Sequence, residues 1–398
     1  MTEATVALQK ALAGMAEIPV STRKGILILI SIGTLLSILT ERRMMFGGDA
    51  GGLPGAFVQE ERQMEVEAVA ALSQPPRLCN REELMVGEWV PKTWDYPPYQ
   101  PKISKCKYED DFLNKTWPTY EWLPTAAKGE DGCVWDMFDP AEFCNLAANK
   151  TISIVGDSLS FEHVSSLIHW MGGAIPTYKI WGKRQIEQIW LKRSFCRDSS
   201  LHVQFKSTRR LETIVDVLNT TVHHPTDVVV INRGAYFSPD DEVRTDMVER
   251  IKELEIWQEE CGQQGRDCHI IWRTSVPGTT KCWTYKKPSK SLYDMEDIIG
   301  MYGNSSHWSH GMRAFHWGDF KRQNNMVLEM LSKTNLTIDV MDAYEVMMLR
   351  PDGHVNDGAD CMHNCEPGKL IVYDQWLMHL MKVRREAMGS GEVLATTI

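Results

Sequence analysis

The chain has 398 residues, with 43 Lys and Arg against 53 Asp and Glu, and a formal charge of −10. A hydrophobic share of 43% with 24% charged residues supplies a sizeable core and excludes global disorder. The acidic balance argues against a nucleic-acid binder, which needs a basic face for phosphate contacts. Fourteen Trp is high for the length; sugar-stacking platforms and plain core packing are both open readings of them.

Residues 1–24 read as a weakly amphipathic polar leader. Residues 25–39 are an apolar run, with Arg23 and Lys24 before it and Arg42 and Arg43 after it. As a helix rising about 1.5 Å per residue it reaches somewhat over 20 Å, short of a usual membrane span. A short signal-anchor, a cleaved signal peptide and a buried core helix compete for it. The lack of a small-x-small cleavage site just after Leu39 and the long leader favour the anchor, which a thin secretory membrane tolerates. Basic residues on both flanks leave its orientation open.

The Gly-rich residues 47–55 read as a flexible stalk, and residues 60–72 as a short acidic helix ended by Pro75 and Pro76. All ten cysteines follow the apolar run. So do five Asn-x-Ser/Thr sequons, at Asn114, Asn149, Asn219, Asn304 and Asn335. Both features fit a chain delivered to an oxidising lumen, with unpaired cytosolic thiols as the plain alternative. The division along the chain is then a leader over 1–24, an anchor over 25–39, a stalk over 40–78, a catalytic domain over 79–385 and a tail over 386–398.

After residue 150 short apolar runs alternate with longer helical stretches. Strands are expected over 151–155, 227–232, 268–273 and 336–341, with helices over 158–171, 242–258 and 320–331. Such alternation implies an α/β fold with a mostly parallel sheet covered on both faces, whose working groups gather at the carboxyl ends of the strands.

Gly156-Asp157-Ser158 follows the first of these strands directly. A Ser at this corner exposes its hydroxyl above the sheet, at a helix N-terminus that favours developing negative charge. Asp157 or Ser158 acting only as an N-cap is the plain alternative. A weak hydroxyl needs a general base, and the base needs a group that holds its tautomer. Asp360-Cys361-Met362-His363 offers both at i and i+3, with Asp352-Gly353-His354 as a nearby competitor. Cys361, His363 and Cys365 also have ligand-like spacing for zinc, but no second tight cluster completes such a site, so no metal is expected. Asn232 closes a buried strand and is a candidate amide donor to an oxyanion, with Gly234 allowing close approach. Arg233 and Arg273 sit at strand ends, where either substrate contact or a salt bridge would employ them. His307, His310 and His316, interleaved with Trp308 and Trp317, suit either sugar stacking or ordinary packing.

In order along the chain, several segments together resemble the PC-esterase family, which includes the plant trichome-birefringence-like polysaccharide O-acetyltransferases. They are Cys79 with Gly87-Glu88-Trp89-Val90, then Val155-Gly156-Asp157-Ser158-Leu159-Ser160, residues 227–234 and residues 272–278. Arg350-Pro351-Asp352-Gly353-His354 and Asp360-Cys361-Met362-His363-Asn364-Cys365-Glu366-Pro367-Gly368 complete the set.

The resemblance implies an SGNH-hydrolase-like three-layer sandwich on a single type II anchor, with its catalytic domain in the lumen of the Golgi or another secretory compartment. It implies Ser158 as nucleophile, His363 as base and Asp360 as the group orienting that base. Gly156, Asp157, Asn232, Gly234 and Arg273 remain candidates for oxyanion or substrate contacts. It further implies acetyl-CoA or another acetyl donor as co-substrate, no permanently bound cofactor, and a polysaccharide or glycan acceptor. A carbohydrate esterase and a catalytically silent glycan-binding protein are the alternatives. The chain also departs from the plant pattern. Phe161-Glu162-His163 stands where those proteins commonly read Arg-Asn-Gln, and Asn364 stands where they read Trp.

Overall fold

The computed structural model describes residues 77–92, 120–129, 132–173, 190–196, 199–212, 214–218, 225–236, 239–303, 316–355, 360–365 and 368–390. The expected leader, the apolar run 25–39, the stalk up to residue 76 and the acidic helix lie outside these residues, as do His307, Trp308 and His310. Among the described residues no helix is long and apolar enough to cross a membrane.

A short helix α1 (Arg81–Met85) opens the domain behind an Asn80–Glu83 capping box. It leads into an antiparallel pair, β1 (Gly87–Pro91) and β2 (Tyr120–Pro124). Helix α2 (Pro140–Leu146) starts where the Asp139 side chain accepts from the Ala141 and Glu142 amides and Pro140 fills the first position, which has no N–H to lose. Then come β3 (Thr151–Gly156), α3 (Ser158–Trp170), β4 (Trp190–Phe195), β5 (Leu201–Ser207), α4 (Ile214–Leu218), β6 (Val228–Ile231) and α5 (Asp240–Gln263). The second half holds β7 (His269–Arg273), α6 (Leu292–Gly303), α7 (Phe320–Leu331), β8 (Ile338–Met341), α8 (Tyr344–Met348) and α9 (Ile371–Ser390).

Six strands form one sheet in the order β4-β5-β3-β6-β7-β8. Every pairing is parallel except that of the edge strand β4 with β5. Side chains alternate across the sheet with a period of two. Ile152, Ile154, Val228, Val230 and Ile271 face one apolar cluster, with Val164, Leu167 and Ile168 of α3 and Val372, Trp376 and Leu377 of α9. Val155, Val229, Ile231, Ile270 and Trp272 face the other, with helices α4, α5 and α7. The architecture is the expected three-layer α/β sandwich.

Three of the expected strands appear with trimmed ends, 227–232 narrowing to Val228–Ile231, 268–273 to His269–Arg273 and 336–341 to Ile338–Met341; 151–155 gains Gly156, and α7 matches its expected span. Helix α5 runs longer than expected at both ends, with Asp240, Asp241 and Glu242 in its first turn where the dipole favours them. Strands β1, β2, β4 and β5 and helix α9 were not expected.

Among the described residues four disulfides join Cys79 to Cys133, Cys144 to Cys196, Cys261 to Cys268 and Cys282 to Cys361. Of the described sequons, Asn149 and Asn335 are exposed.

Phe205 of β5 is fully buried, and its ring centroid lies 5.5 Å from that of Phe161 on α3. Phe205→Ala leaves a cavity between the sheet and the helix that carries Ser158. It is expected to cost about 3–5 kcal/mol, read as a fall in the denaturant midpoint at unchanged m-value.

Candidate active site

Ser158 is the first residue of α3 and is partly exposed. The turn that presents it is fixed by close packing. Gly156 has φ 154°, and a Cβ there would lie 2.2 Å from the Ser160 hydroxyl and 2.7 Å from the Asn232 carbonyl. Asp157 is the N-cap: Oδ1 accepts from Leu159 N at 3.0 Å, and Oδ2 accepts from Ala235 N at 2.7 Å. One buried carboxylate therefore caps the helix and ties down the loop that follows β6. Gly234, at φ 84°, lets it approach, since a Cβ there would meet the Asp157 carboxylate at 2.4 Å.

His363 and Asp360 lie above this corner. Asp360 Oδ1 accepts from the Met362 and His363 amides, so the carboxylate folds its own loop. Its Oδ2 lies 2.7 Å from His363 Nδ1. A carboxylate only accepts, so Nδ1 carries the proton and Nε2 faces Ser158 Oγ at 2.9 Å. Burial opposes charge on His363, but the Asp360 hydrogen bond and the charges of Glu162, Asp360 and Asp157 outweigh it and raise the ring to about 9. Burial likewise opposes charge on Asp360, and its bonds to the His363 ring and to two backbone amides bring it down to about 2. The imidazole is therefore held charged at neutral pH beside a hydroxyl that solvent can reach.

Neighbouring segments hold that loop from several sides. His354, the sequence competitor for the base, is buried and turned away from Ser158. Its Nδ1 donates to the His363 carbonyl at 3.0 Å, and its Nε2 lies 3.0 Å from Thr279 Oγ1. His354 and Asn364 form an isolated antiparallel bridge. The guanidinium of Arg350 lies 4.8 Å from the Trp89 ring centroid and 4.9 Å from that of Tyr120, so the β1–β2 pair backs this segment. Cys361 is bonded to Cys282, and its carbonyl accepts from Thr279 N at 2.8 Å.

The remaining sequence candidates are each placed by their neighbours. Cys361 is oxidised, as is Cys365, so neither thiolate exists for the zinc alternative. Among the described residues the one group of acids and thiols with metal-like spacing is Cys79, Glu83 and Cys133, and its two sulfurs are bonded to each other. Asn232 is not presented as an oxyanion donor. It is buried, and its Nδ2 is directed to the Arg273 carbonyl at 2.8 Å and Ser275 Oγ at 3.3 Å. Arg273 is turned inward from the strand end. Its guanidinium is buried beneath the corner, bonded to Ser160 Oγ at 2.9 Å and stacked 4.5 Å from the Tyr373 ring centroid. Asp157 is spent on the cap and strap, and Gly234 makes room for Asp157 rather than for a ligand. Arg233 pairs with Asp246 at 3.2 Å, the salt-bridge alternative. Trp317 is buried, its ring where a Cβ on Gly278 would lie at 2.3 Å.

Sequence reasoning missed Glu162. Its carboxylate accepts from Asn364 N at 2.9 Å and Asn364 Nδ2 at 2.8 Å. Both residues were noticed only as departures from a family pattern, and nothing local signals that positions 202 apart are bonded.

Residues 136–383 match the GDSL/SGNH-like acyl-esterase family found in Pmr5 and Cas1p, PC-Esterase. The chain belongs to the PC-esterase family. It is similar to the Arabidopsis thaliana protein trichome birefringence-like 19, at 22% identity over 77% of this chain and 82% of that one. It is likewise similar to xyloglucan O-acetyltransferase 2 of Arabidopsis thaliana, at 20% identity over 83% of this chain and 90% of that one. Membership gives the PC-esterase domain its chemical class, an acyl-transferring or acyl-hydrolysing enzyme of SGNH-like α/β fold.

Two outcomes follow from the geometry. Gly234→Ala forces a side chain into the Asp157 carboxylate at an unfavourable φ and is expected to destabilise the fold by about 1–3 kcal/mol, measured by chemical unfolding. Asp360→Asn leaves burial without its main counterweight, so the His363 ring should titrate well below about 9, as followed by NMR of the imidazole protons.

Proposed function

We propose that this protein is an O-acetyltransferase that carries an acetyl group on Ser158 and delivers it to a hydroxyl of a polysaccharide or glycan. The single observation that supports this most is the hydrogen-bonded row from Ser158 Oγ through His363 to Asp360, at 2.9 and 2.7 Å. The neutral form of His363 takes the Ser158 proton on Nε2 as Oγ attacks the acetyl carbonyl of the donor. The tetrahedral oxyanion forms at the N-terminus of α3, where the helix dipole favours negative charge, the Leu159, Ser160 and Phe161 amides being already bonded to Asp157. Collapse breaks the bond to the donor's leaving group, which takes the proton from His363. The acceptor hydroxyl then gives its proton to the same nitrogen and attacks acetyl-Ser158. The new ester leaves with the sugar, and the proton returns to Ser158 Oγ. Asp360 holds the tautomer and stabilises the imidazolium throughout.

The donor in this reading is acetyl-CoA or another activated acetyl compound, consumed as a co-substrate. The relatives support a glycan acceptor, one of them being named a xyloglucan O-acetyltransferase. Residues 25–39 then serve as a type II anchor in a Golgi or other secretory membrane, with the domain in the lumen. The apolar run, the four disulfides and the two exposed sequons favour that compartment. Water in place of the sugar hydroxyl would make the same site an esterase, a second reading that the acyl-esterase description of the family favours.

Incubation with an acetyl donor is expected to leave an acetyl adduct on the peptide containing Ser158, detected by mass spectrometry, and Ser158→Ala abolishes it. An intact enzyme that forms no adduct with any acetyl donor and does not deacetylate acetylated glycans overturns both readings; net deacetylation outrunning transfer decides for the esterase. The raised His363 also sets a sign. Only the neutral ring accepts a proton, so the rate rises with pH, and the acidic limb of kcat/KM should lie above the ordinary His value near 6.5.

A further inference from the structure

Glu162 lies one helical turn after Ser158, on the same face of α3. It is 8% exposed, and both its carboxylate oxygens are engaged by Asn364, the residue immediately after His363. A buried carboxylate is costly unless hydrogen-bonded, and one backbone amide and one side-chain amide supply the bonds here. The amide of Asn364 and the carbonyl of His363 belong to one planar peptide unit. That carbonyl accepts from His354 Nδ1 at 3.0 Å and from Val355 N at 3.2 Å. The peptide is therefore gripped at both edges, by the His354 segment on one side and by α3 on the other. Its plane fixes the point from which the His363 ring departs toward Ser158.

Resting on the reading of Ser158 and His363 above, we propose that Glu162 is a positioning residue for the acyl transfer: its carboxylate locks the His363–Asn364 peptide and adds a negative charge to those of Asp360 and Asp157 near the imidazole, aiming the ring at Ser158 and stabilising its protonated form without touching substrate.

The charges around the pair fit this role. Asp360 acts on His363 from its own loop, and Asp157 and Glu162 act from α3, each favouring the imidazolium. His354, on the adjoining segment, is held neutral by burial and by nearby Lys369. Glu162 is faced by Arg273 from β7 and by Lys369 from the segment before α9, both buried and both influenced by its charge, with the phenol of Tyr373 beside them. Glu162 and Asn364 are also two of the positions at which this chain departs from the plant pattern, and here they bind each other.

The test is Glu162→Gln, which keeps the shape and removes the charge, with Glu162→Asp to restore the charge on a shorter arm. In the folded full-length protein, Glu162→Gln should lower kcat by about 10- to 100-fold through misaiming, with the donor KM little changed. It should move the acidic limb of the pH profile to lower pH and lower the NMR titration midpoint of the His363 ring. Glu162→Asp should recover part of both pH effects. An acidic limb and a His363 midpoint that stay at their wild-type positions in folded Glu162→Gln overturn the proposal, as does a loss of rate only in proportion to lost folded protein. If the variant is too unstable to assay, the His363 midpoint in folded Glu162→Asp decides it, being expected below wild type and overturning the proposal if it does not move. The titration needs no turnover. It therefore judges the hold of Glu162 on His363 even if no acetyl adduct forms on Ser158 and the functional reading itself fails.

Discussion

A hydrogen bond between Ser158 and His363 joins positions 205 apart, and one of its partners sits on a loop with no regular secondary structure. Such a loop, left to itself, is the mobile part of a domain. What makes it a platform is the number of independent ties on so few residues. Asp360 folds it from within, the Cys282–Cys361 disulfide fastens it to the segment after β7, His354 holds the His363 carbonyl, and Glu162 holds the next amide. Each tie comes from a different stretch of chain, so bending the loop at one point is opposed by the others. The disulfide adds a constraint of another kind, removing freedom from the unfolded chain.

The other half of the site needs no such lacing, because Ser158 rides on the sheet. Strand β3 is buried along its whole length between β5 and β6, and α3 begins one residue after it. The corner is crowded enough that Gly156 and Gly234 both lack room for a side chain. Asp157 uses that crowding. By capping α3 and strapping Ala235 with the two oxygens of one buried group, it couples the helix that carries Ser158 to the loop after β6. Beneath it Ser160, Arg273 and Tyr373 form a polar layer in place of apolar packing.

The elements read correctly from sequence are those whose burial is one-sided or complete. Residues 227–232 carry a run of Val and Ile that suits a strand covered on both faces, and residues 320–331 carry a helical stripe. The Ser158 corner was legible because the chemistry is local: a Gly, an Asp cap and a Ser between strand and helix. Asp360 and His363 were legible for the same reason, three residues apart. Strand β5 was not, because Gln204 and Lys206 interrupt its apolar residues and yet are buried, Gln204 by bonding Ser153. Helix α9 failed similarly. Asp374, Gln375, His379 and Lys382 are all buried in it, so polarity no longer marked the outer face. Asn232 and Arg273 misled in the opposite direction. A polar residue at a strand's carboxyl end has the same sequence signature whether it meets a substrate or its neighbours, and here the neighbours have it.

Three carboxylates bear on one imidazole, and their joint effect gives the proposed reaction a direction. A ring raised to about 9 is less often free at neutral pH than an ordinary His, yet each free ring is a stronger proton acceptor. The two effects offset one another where the proton comes readily, and the second matters more as the donor becomes less acidic. Sugar hydroxyls and the Ser158 alcohol are both weak acids, so in the proposed reaction the same base would serve the acylation and the transfer steps. Asp157, Glu162 and Asp360 supply that basicity from fixed positions, two on a buried helix start and one in the loop, so little rearrangement is needed as the ring gains its proton. All three side chains favour the imidazolium, but only Asp360 and Glu162 also bond the loop that carries the ring, Asp360 at Nδ1 and Glu162 at the peptide from which the ring departs.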